Sequence, residues 1–382
     1  MTEENKSVMN FPNLRFPYYT DEWKEQRLED LGFFIGGGTP DTTNQQFWKG
    51  KIPWISSSDL SVDDIGRIFK TRFINDDAIK SSATKLVPKG GILMVSRVGI
   101  GKFAVADEDL CTSQDFTNLV TNQNAYFLCH YFIARSKDFV KLSQGTSIKG
   151  FTIQDIKSSV FHVPSLQEQE NISAFLSVID SRIQTQRKII EQLETLIRSY
   201  REKLFSQKIR FNENGSDFPE WEIKKIKDVL KIGSGRDYKH LDVGNIPVYG
   251  TGGVITFVDS FLYDGETVCV GRKGTIDRPM YFSGKLWTVD TLFYTHSFYN
   301  SIPKFIFQLF QTVNWKEHNE ASGVPSLSKN TIENLSVTIP SLEEQTKVAN
   351  FLSYLQEKIE TEKKISAQYE IQKKYLLANL FA

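Results

Sequence analysis

The chain has 382 residues, too many for one ordinary hydrophobic core, so two or more domains are expected. Its 46 basic residues balance 46 acidic ones, and segments 1–160, 161–208, 209–340 and 341–382 each stay within one charge of balance; bulk charge gives no support to nucleic-acid binding, so such contacts must come from local clusters. Three scattered cysteines (Cys111, Cys129, Cys269) and the absence of any run near ~20 apolar residues argue against a disulfide framework or a membrane span, and point to the cytoplasm.

The opening stretch, Met1 to Phe16, is acidic and polar before it turns aromatic, with no apolar signal-peptide core. Phe16-Pro17 precedes Trp23, an amphipathic stretch from Leu28 to Leu31 and the cluster Gly36-Gly37-Gly38. Gly91 to Ser96 is a buried strand bounded by glycine, and Asn124 to Arg135 an aromatic-rich buried helix. Pro164-Ser165-Leu166-Gln167-Glu168-Gln169 then opens a long helix. Ser165 is placed to cap it, and Glu168, three residues on, to reach back to the cap. Apolar side chains recur with four-three spacing at Ile172, Leu176, Ile179, Ile183, Ile190, Leu193, Ile197, Tyr200 and Leu204, broken only by Gln186. That is a heptad seam.

After a turn at Asn212 to Ser216 the pattern begins again. Phe218-Pro219 precedes Trp221, a stretch from Ile226 to Val229 and Gly233-Ser234-Gly235. Ile246-Pro247-Val248 echoes Ile52-Pro53-Trp54, and Gly271-Arg272-Lys273-Gly274 echoes Ser96-Arg97-Val98-Gly99. Thr288 falls near Thr112, and Asp290 near Asp115. Thr267 to Gly271 is a second buried strand and Ser301 to Gln311 a second buried helix. Pro340-Ser341-Leu342-Glu343-Glu344-Gln345 opens another long helix at an offset of 176, and eight of the fourteen positions from Pro164 to Ser177 are identical in the second copy. Its seam starts at Val348, Leu352, Leu355 and Ile359. It then degrades at Glu362, Ser366 and Lys373, and Ile365, Tyr369 and Leu376 partly restore it.

The fold class is α+β. Two duplicated globular domains (1–164 and 212–340) are each followed by a long helix (165–211 and 341–382). The helices are expected to form an antiparallel coiled coil separating the domains.

No catalytic constellation emerges. Gly99-Ile100-Gly101-Lys102 lacks both the spacing and the Ser or Thr of a phosphate loop. Five histidines show no metal spacing, and no nucleophile elbow occurs. From the residues alone three readings stay open: a DNA-specificity protein, a coiled-coil scaffold whose globular ends bind protein partners, and an enzyme with an unrecognised site.

A domain leaving through Pro-Ser-Leu-x-Glu-Gln into a long helix, twice over, resembles the specificity subunit of type I restriction–modification enzymes. The resemblance runs over essentially the whole chain, and rests most on the two helix starts, the tryptophan-led domain openings and the Arg-x-Gly turns. It implies a non-catalytic subunit whose two target-recognition domains read a bipartite double-stranded DNA target. It implies that the helices dock methyltransferase subunits and, through them, restriction/translocase subunits, with no membrane association. S-adenosylmethionine, ATP and Mg2+ would belong to those partner subunits, and no cofactor or metal to this chain.

Candidate DNA contacts lie in turns expected on one rim of each domain: Thr39, Ser57, Arg97, Lys102, Ser147 and Lys149 in the first, and Arg236, Tyr249, Thr251, Arg272, Lys273 and Arg278 in the second. Arginine and lysine can bond guanine edges or phosphates, and small polar residues beside glycine let a backbone approach a phosphate. Phe175, Ile189, Leu196, Phe351 and Ile365 lie off the seam and are candidates for partner docking.

Removing one heptad from each helix takes away about 10 Å of rod at 1.5 Å per residue. The non-specific spacer of the target is then expected to shorten by about 3 base pairs at 3.4 Å per pair. Mapping the methylated motif in cells carrying the shortened chain with its methyltransferase checks this, and an unchanged spacer refutes it.

Overall fold

The computed structural model describes residues 12–62, 64–142, 153–211 and 219–381. It falls into two compact units, Met1–Arg187 with Ile365–Ala382, and Lys188–Lys364. The division runs through the two long helices, Leu166–Phe205 and Leu342–Leu380. Each unit therefore holds one globular domain, the first part of the helix that leaves it and the last part of the other helix.

In the first unit a four-stranded sheet runs Gly32–Gly36, Thr117–Thr121, Ile92–Met94, Phe103–Val105. A second runs Phe73–Ile74, Ile52–Ile55, Leu110–Thr112, Leu86–Val87, with one parallel pairing, Trp54 to Cys111 and Ile55 to Thr112. The second unit repeats both. Its sheets run Lys231–Ser234, Leu292–His296, Thr267–Gly271, Met280–Phe282 and Gly253–Val258, Val243–Gly250, Lys285–Thr288, Tyr263–Asp264. The parallel pairing recurs at Val248 to Trp287 and Tyr249 to Thr288. In each unit a two-stranded antiparallel ribbon ties entry to exit: Lys24–Arg27 with Val160–Val163, and Glu222–Lys225 with Ser336–Ile339.

The expected aromatic helices are Ala125–Ala134 and Pro303–Phe310. Asn124 caps the first by accepting from the Phe127 N–H at 2.9 Å, and proline opens the second, where no N–H is needed. Phe127, Phe132 and Phe103 pack with Ile172, Leu176 and Leu380 of the long helices. Phe305 and Phe310 do so with Ile197, Val348 and Leu352. Burying each such side chain contributes roughly 1.5–3 kcal/mol, so each domain and its helical segments share one core.

Within each unit the helical segments are antiparallel. Asp180 meets Lys373 and Arg187 meets Glu370 in the first; Glu194 meets Lys363 and Tyr200 meets Phe351 in the second. The first seam is inward along its length, Gln186 included. The second does not degrade as its sequence suggests. Ser366 and Lys373 are buried, and Lys373 is held by Asp180 at 2.7 Å, so an ion pair replaces an apolar contact. Ile365 does not restore the seam, because it points outward.

The repeated helix start is a buried network. Ser165 and Ser341 accept from the Glu168 and Glu344 N–H groups at 3.4 Å, but neither carboxylate reaches back to the cap. Glu168 instead accepts from Arg15 at 2.7 and 2.8 Å and from the Trp23 indole at 3.3 Å. Glu344 accepts from Arg210 at 3.0 and 2.7 Å and from Trp221 at 3.1 Å. A charged two-pronged partner in a buried place outcompetes the neutral cap N–H. Gln169 and Gln345 accept from the Asn124 and Ile302 N–H groups at 3.1 and 3.0 Å and donate to Pro164 and Pro340 carbonyls. The helix start thus grips the aromatic helix and the tryptophan of its own domain.

Arg15-Phe16 and Arg210-Phe211 extend the repeat upstream. Phe16 packs edge-on against Phe175 at 6.0 Å, and Phe211 against Phe351 at 5.8 Å. Phe351, a docking candidate by sequence, is half-buried there with Tyr200; it lies off the seam because it packs on its own domain's entry segment.

Glu168→Ala is expected to lower stability by about 1.5–3 kcal/mol, since it removes the carboxylate from a half-buried guanidinium and leaves the Trp23 indole N–H without its acceptor. Glu344→Ala should do the same in the second unit. Thermal unfolding of the single variants checks this, and a loss under about 1 kcal/mol would mark both networks as no stronger than surface pairs.

Candidate nucleic-acid interface

The two Arg-bearing turns are built alike. The Ser96 and Arg97 N–H groups donate to the Asp115 carbonyl at 2.8 and 3.1 Å. The Arg272 and Lys273 N–H groups donate to the Thr291 carbonyl at 2.8 and 3.4 Å. The partner of Asp115 is therefore Thr291, one place beyond the Asp290 that the sequence comparison pairs with it. Gly99, Gly101 and Gly274 have positive φ (99°, 96° and 90°), which a side chain would strain, so each chain turns sharply while the arginine side chain stays exposed.

The glycine clusters sit beneath these turns. Gly37 and Gly235 donate to the Phe116 and Leu292 carbonyls at 3.2 and 2.9 Å. A Cβ on either would lie 1.9 Å from a backbone oxygen, of Ser113 or Val289. Only glycine fits. The next residue donates to an equivalent carbonyl in both units, Gly38 to Thr112 and Arg236 to Thr288, each at 2.8 Å. Arginine thus stands in the second unit where the first has glycine. The carbonyls of Gly38 and Arg236 each accept from an indole at 2.9 Å, Trp54 from one strand and Trp287 from another.

Ser57 and Lys102 are brought together. The Lys102 ammonium donates to the Ser57 and Leu60 carbonyls at 2.8 and 3.1 Å, which commits most of its donors inside the fold. The Ser57 turn is further braced by Asp59, which accepts from the Ser56 N–H at 2.8 Å and pairs with Arg72. Thr39 is half-buried. Ser147 and Lys149 lie outside the described residues.

In the second unit Thr251 lies beside the turn, its hydroxyl 3.9 Å from where a Cβ on Gly274 would stand. Arg272 and Lys273 line a polar groove with Ser234, Phe293, Ser328 and Lys329. Tyr249 is elsewhere: its ring lies tilted against Phe282, centroids 3.9 Å apart, beside a small core with Cys269 and Leu286. Arg278 is exposed next to the Asp277–Lys316 ion pair.

A groove in the first unit that no sequence feature points to is lined by Thr42, Gln45, Trp48, Lys49, Trp54 and Arg72. The Arg72 guanidinium sits 4.6 Å over the Trp54 ring. Nor does any sequence feature single out Lys329 and Ser328. Isolated cations in loops carry no local signal, and only the fold gathers them.

All three cysteines are buried, and burial pushes the Cys111 thiol up to about 12 and the Cys129 and Cys269 thiols up as well. Among the described residues no group of three or more His, Cys, Asp or Glu is placed to hold a metal, and no helix is long and apolar enough to cross a membrane.

A family model for the type I restriction modification DNA specificity domain matches residues 20–195 and again 219–370. The chain belongs to that family. The two matches fall on the two domains and run into their long helices. The MjaIX specificity subunit of Methanocaldococcus jannaschii is 30% identical over 231 residues, 56% of this chain and 53% of that protein. The EcoR124I/EcoR124II specificity subunit of Escherichia coli is 27% identical over 47% of this chain and 48% of its own length, so the match spans only about half of these two relatives. The EcoprrI specificity subunit of Escherichia coli is 23% identical over 83% of each. In fold, the chain is similar to the type I restriction–modification S subunit from M. genitalium, with a TM-score of 0.68 at 19% identity, over 97% of this chain and 99% of that one.

Lys102→Met is expected to cost about 2 kcal/mol of stability by stranding two carbonyls. Arg97→Ala, in the same turn, should stay within about 0.5 kcal/mol. Denaturant titration separates them, and equal effects would show that Lys102 is no brace.

Proposed function

We propose that this chain is a sequence-specific DNA-recognition subunit, in which each unit reads one half of a bipartite duplex target. The reading rests on one observation. Arg97 and Arg272 stand exposed on corresponding backbone-anchored, glycine-flanked turns of a duplicated fold whose family is the type I DNA specificity domain, Arg272 one place before Lys273, the residue that matches Arg97. A fixed turn with an exposed guanidinium suits bidentate contact with a guanine edge, and the Arg272 guanidinium is steadied 5.9 Å over the Phe293 ring. Lys273 and Lys329, compact charges by the same groove, suit phosphate contact.

Methylation and ATP-driven cleavage would then belong to partner subunits that carry S-adenosylmethionine, ATP and Mg2+. Ile189, Leu196 and Ile365, exposed on the long helices, are the side chains we assign to methyltransferase docking. Phe175 is exposed at 43% yet packs on Phe16, so it serves the entry segment at least as much as a partner.

Arg97→Ala and Arg272→Ala, made separately, should each relax one base position in a different half-site, at about 1–3 kcal/mol of discrimination. Lys273→Ala should weaken all sites alike and lower the salt slope by about one unit. Binding to duplexes varied in one half at a time reads both. The reading fails if Arg97→Ala and Arg272→Ala relax the same half, or if neither alters binding.

A further inference from the structure

In the first unit a buried polar cluster joins three elements. His130, on the Asn124-capped helix, places Nε2 2.8 Å from Asp180 Oδ2, while Nδ1 lies 2.8 Å from the Tyr126 carbonyl. The other Asp180 oxygen is 2.7 Å from Lys373 Nζ, on the second long helix. Burial pushes the Asp180 carboxyl up, but the His130 hydrogen bond and the Lys373 charge outweigh it and hold the group below the ordinary carboxylate range. One helical turn beyond Lys373, Leu377 lies in the apolar core.

The corresponding places in the second unit follow from the repeat. The long helices correspond at an offset of 176. The aromatic helices correspond at 178, because the Asn124 and Ile302 N–H groups both donate to the helix-start glutamine. His130 and Asp180 map to Gln308 and Gln356; Lys373 and Leu377 map to Ile197 and Arg201. Ile197 is buried in the apolar core, and Arg201 Nε donates to Gln308 Oε1 at 3.1 Å. Burial, with Arg198 nearby, pushes the Arg201 guanidinium below its usual range. The first domain thus receives a helix end carrying a cation and then an apolar residue. The second receives one carrying an apolar residue and then a cation.

A duplicated chain meets a particular hazard. Each domain could accept the end of the wrong helix, supplied by a second copy, because both helices descend from one pattern. An apolar seam discriminates poorly, whereas misplaced buried polar groups discriminate strongly. We propose that the Lys373–Asp180–His130 cluster and the Arg201–Gln308 pair make the two halves of this chain pair with each other, and disfavour pairing of either half with its like in another copy. Had the first domain taken the end of a first helix, Asp180 would face Ile197 in place of its cation. Arg201 would then enter the apolar place of Leu377. Had the second domain taken the end of a second helix, Gln308 would face Leu377, and Lys373 would enter the apolar place of Ile197. Each wrong pairing buries a charge where the right one has carbon. The inference does not depend on what the domains bind.

The test uses the full chain. Lys373→Ile with Leu377→Arg writes the first helix's pattern onto the second. This variant is expected to lower the first unit's unfolding midpoint by roughly 5–10 °C. Its dimer fraction by light scattering should rise several-fold over the wild type, since its second helix now suits a second domain. Adding His130→Gln and Asp180→Gln, the residues at the matching places of the second unit, should recover at least half of the lost midpoint. A wild-type midpoint in the double variant, an unchanged dimer fraction, or a quadruple variant no more stable than the double one overturns the proposal.

Discussion

Everything in each unit hangs on one buried carboxylate at the start of its long helix. Glu168 is fully enclosed, yet it accepts two bonds from Arg15 and one from Trp23, while Gln169 beside it satisfies an N–H of the aromatic helix. A carboxylate in that place is tolerable only with a cation and a full set of donors. Once the set is complete, it fixes the helix, the entry segment and the domain relative to each other within the unit. Glu344 repeats the arrangement with Arg210, Trp221 and Gln345. The motif that marks the duplication most clearly is thus the one with the most partners.

What the sequence could reveal follows from that. Features fixed by periodicity or by close packing are legible: both helix starts, the first seam and the opening of the second, the buried strands and helices, and the glycine clusters whose Cβ would strike a carbonyl. The role of Glu168 was misread as a cap, because its partners lie 145 and 153 residues away. The Arg-Phe segments were missed because Arg15 and Arg210 stand 195 positions apart while the helix starts stand 176 apart, so no single offset shows both. Lys373 reads as a flaw in the seam until Asp180 is seen opposite it. Among the proposed contacts, Lys102 in its loop and Tyr249 on its strand serve the fold, for the same reason: a lone cation or aromatic ring does not announce what it faces.

The two domains share a backbone plan and differ in the side chains placed on it. Trp54 and Trp287 satisfy equivalent carbonyls from different strands, and Arg236 stands where the other copy has Gly38. Duplication preserved the hydrogen bonds that hold the turns and released the surface around them.

The antiparallel ribbons carry a further consequence. Lys24 pairs with Val163 and Glu222 with Ile339, so the chain enters and leaves each domain at neighbouring points. The first domain runs 147 positions from Pro17 to Pro164 and the second only 121 from Pro219 to Pro340, yet both close on the same ribbon and the same helix start. Each domain is in effect a cassette: an exchange of coding sequence between Trp23 and Pro164 would leave Arg15, Glu168 and Gln169 in place, while the ribbon strands and the aromatic helix they hold would arrive with the incoming segment. Two short stretches of near-identical sequence at the helix starts are also where such an exchange could be guided.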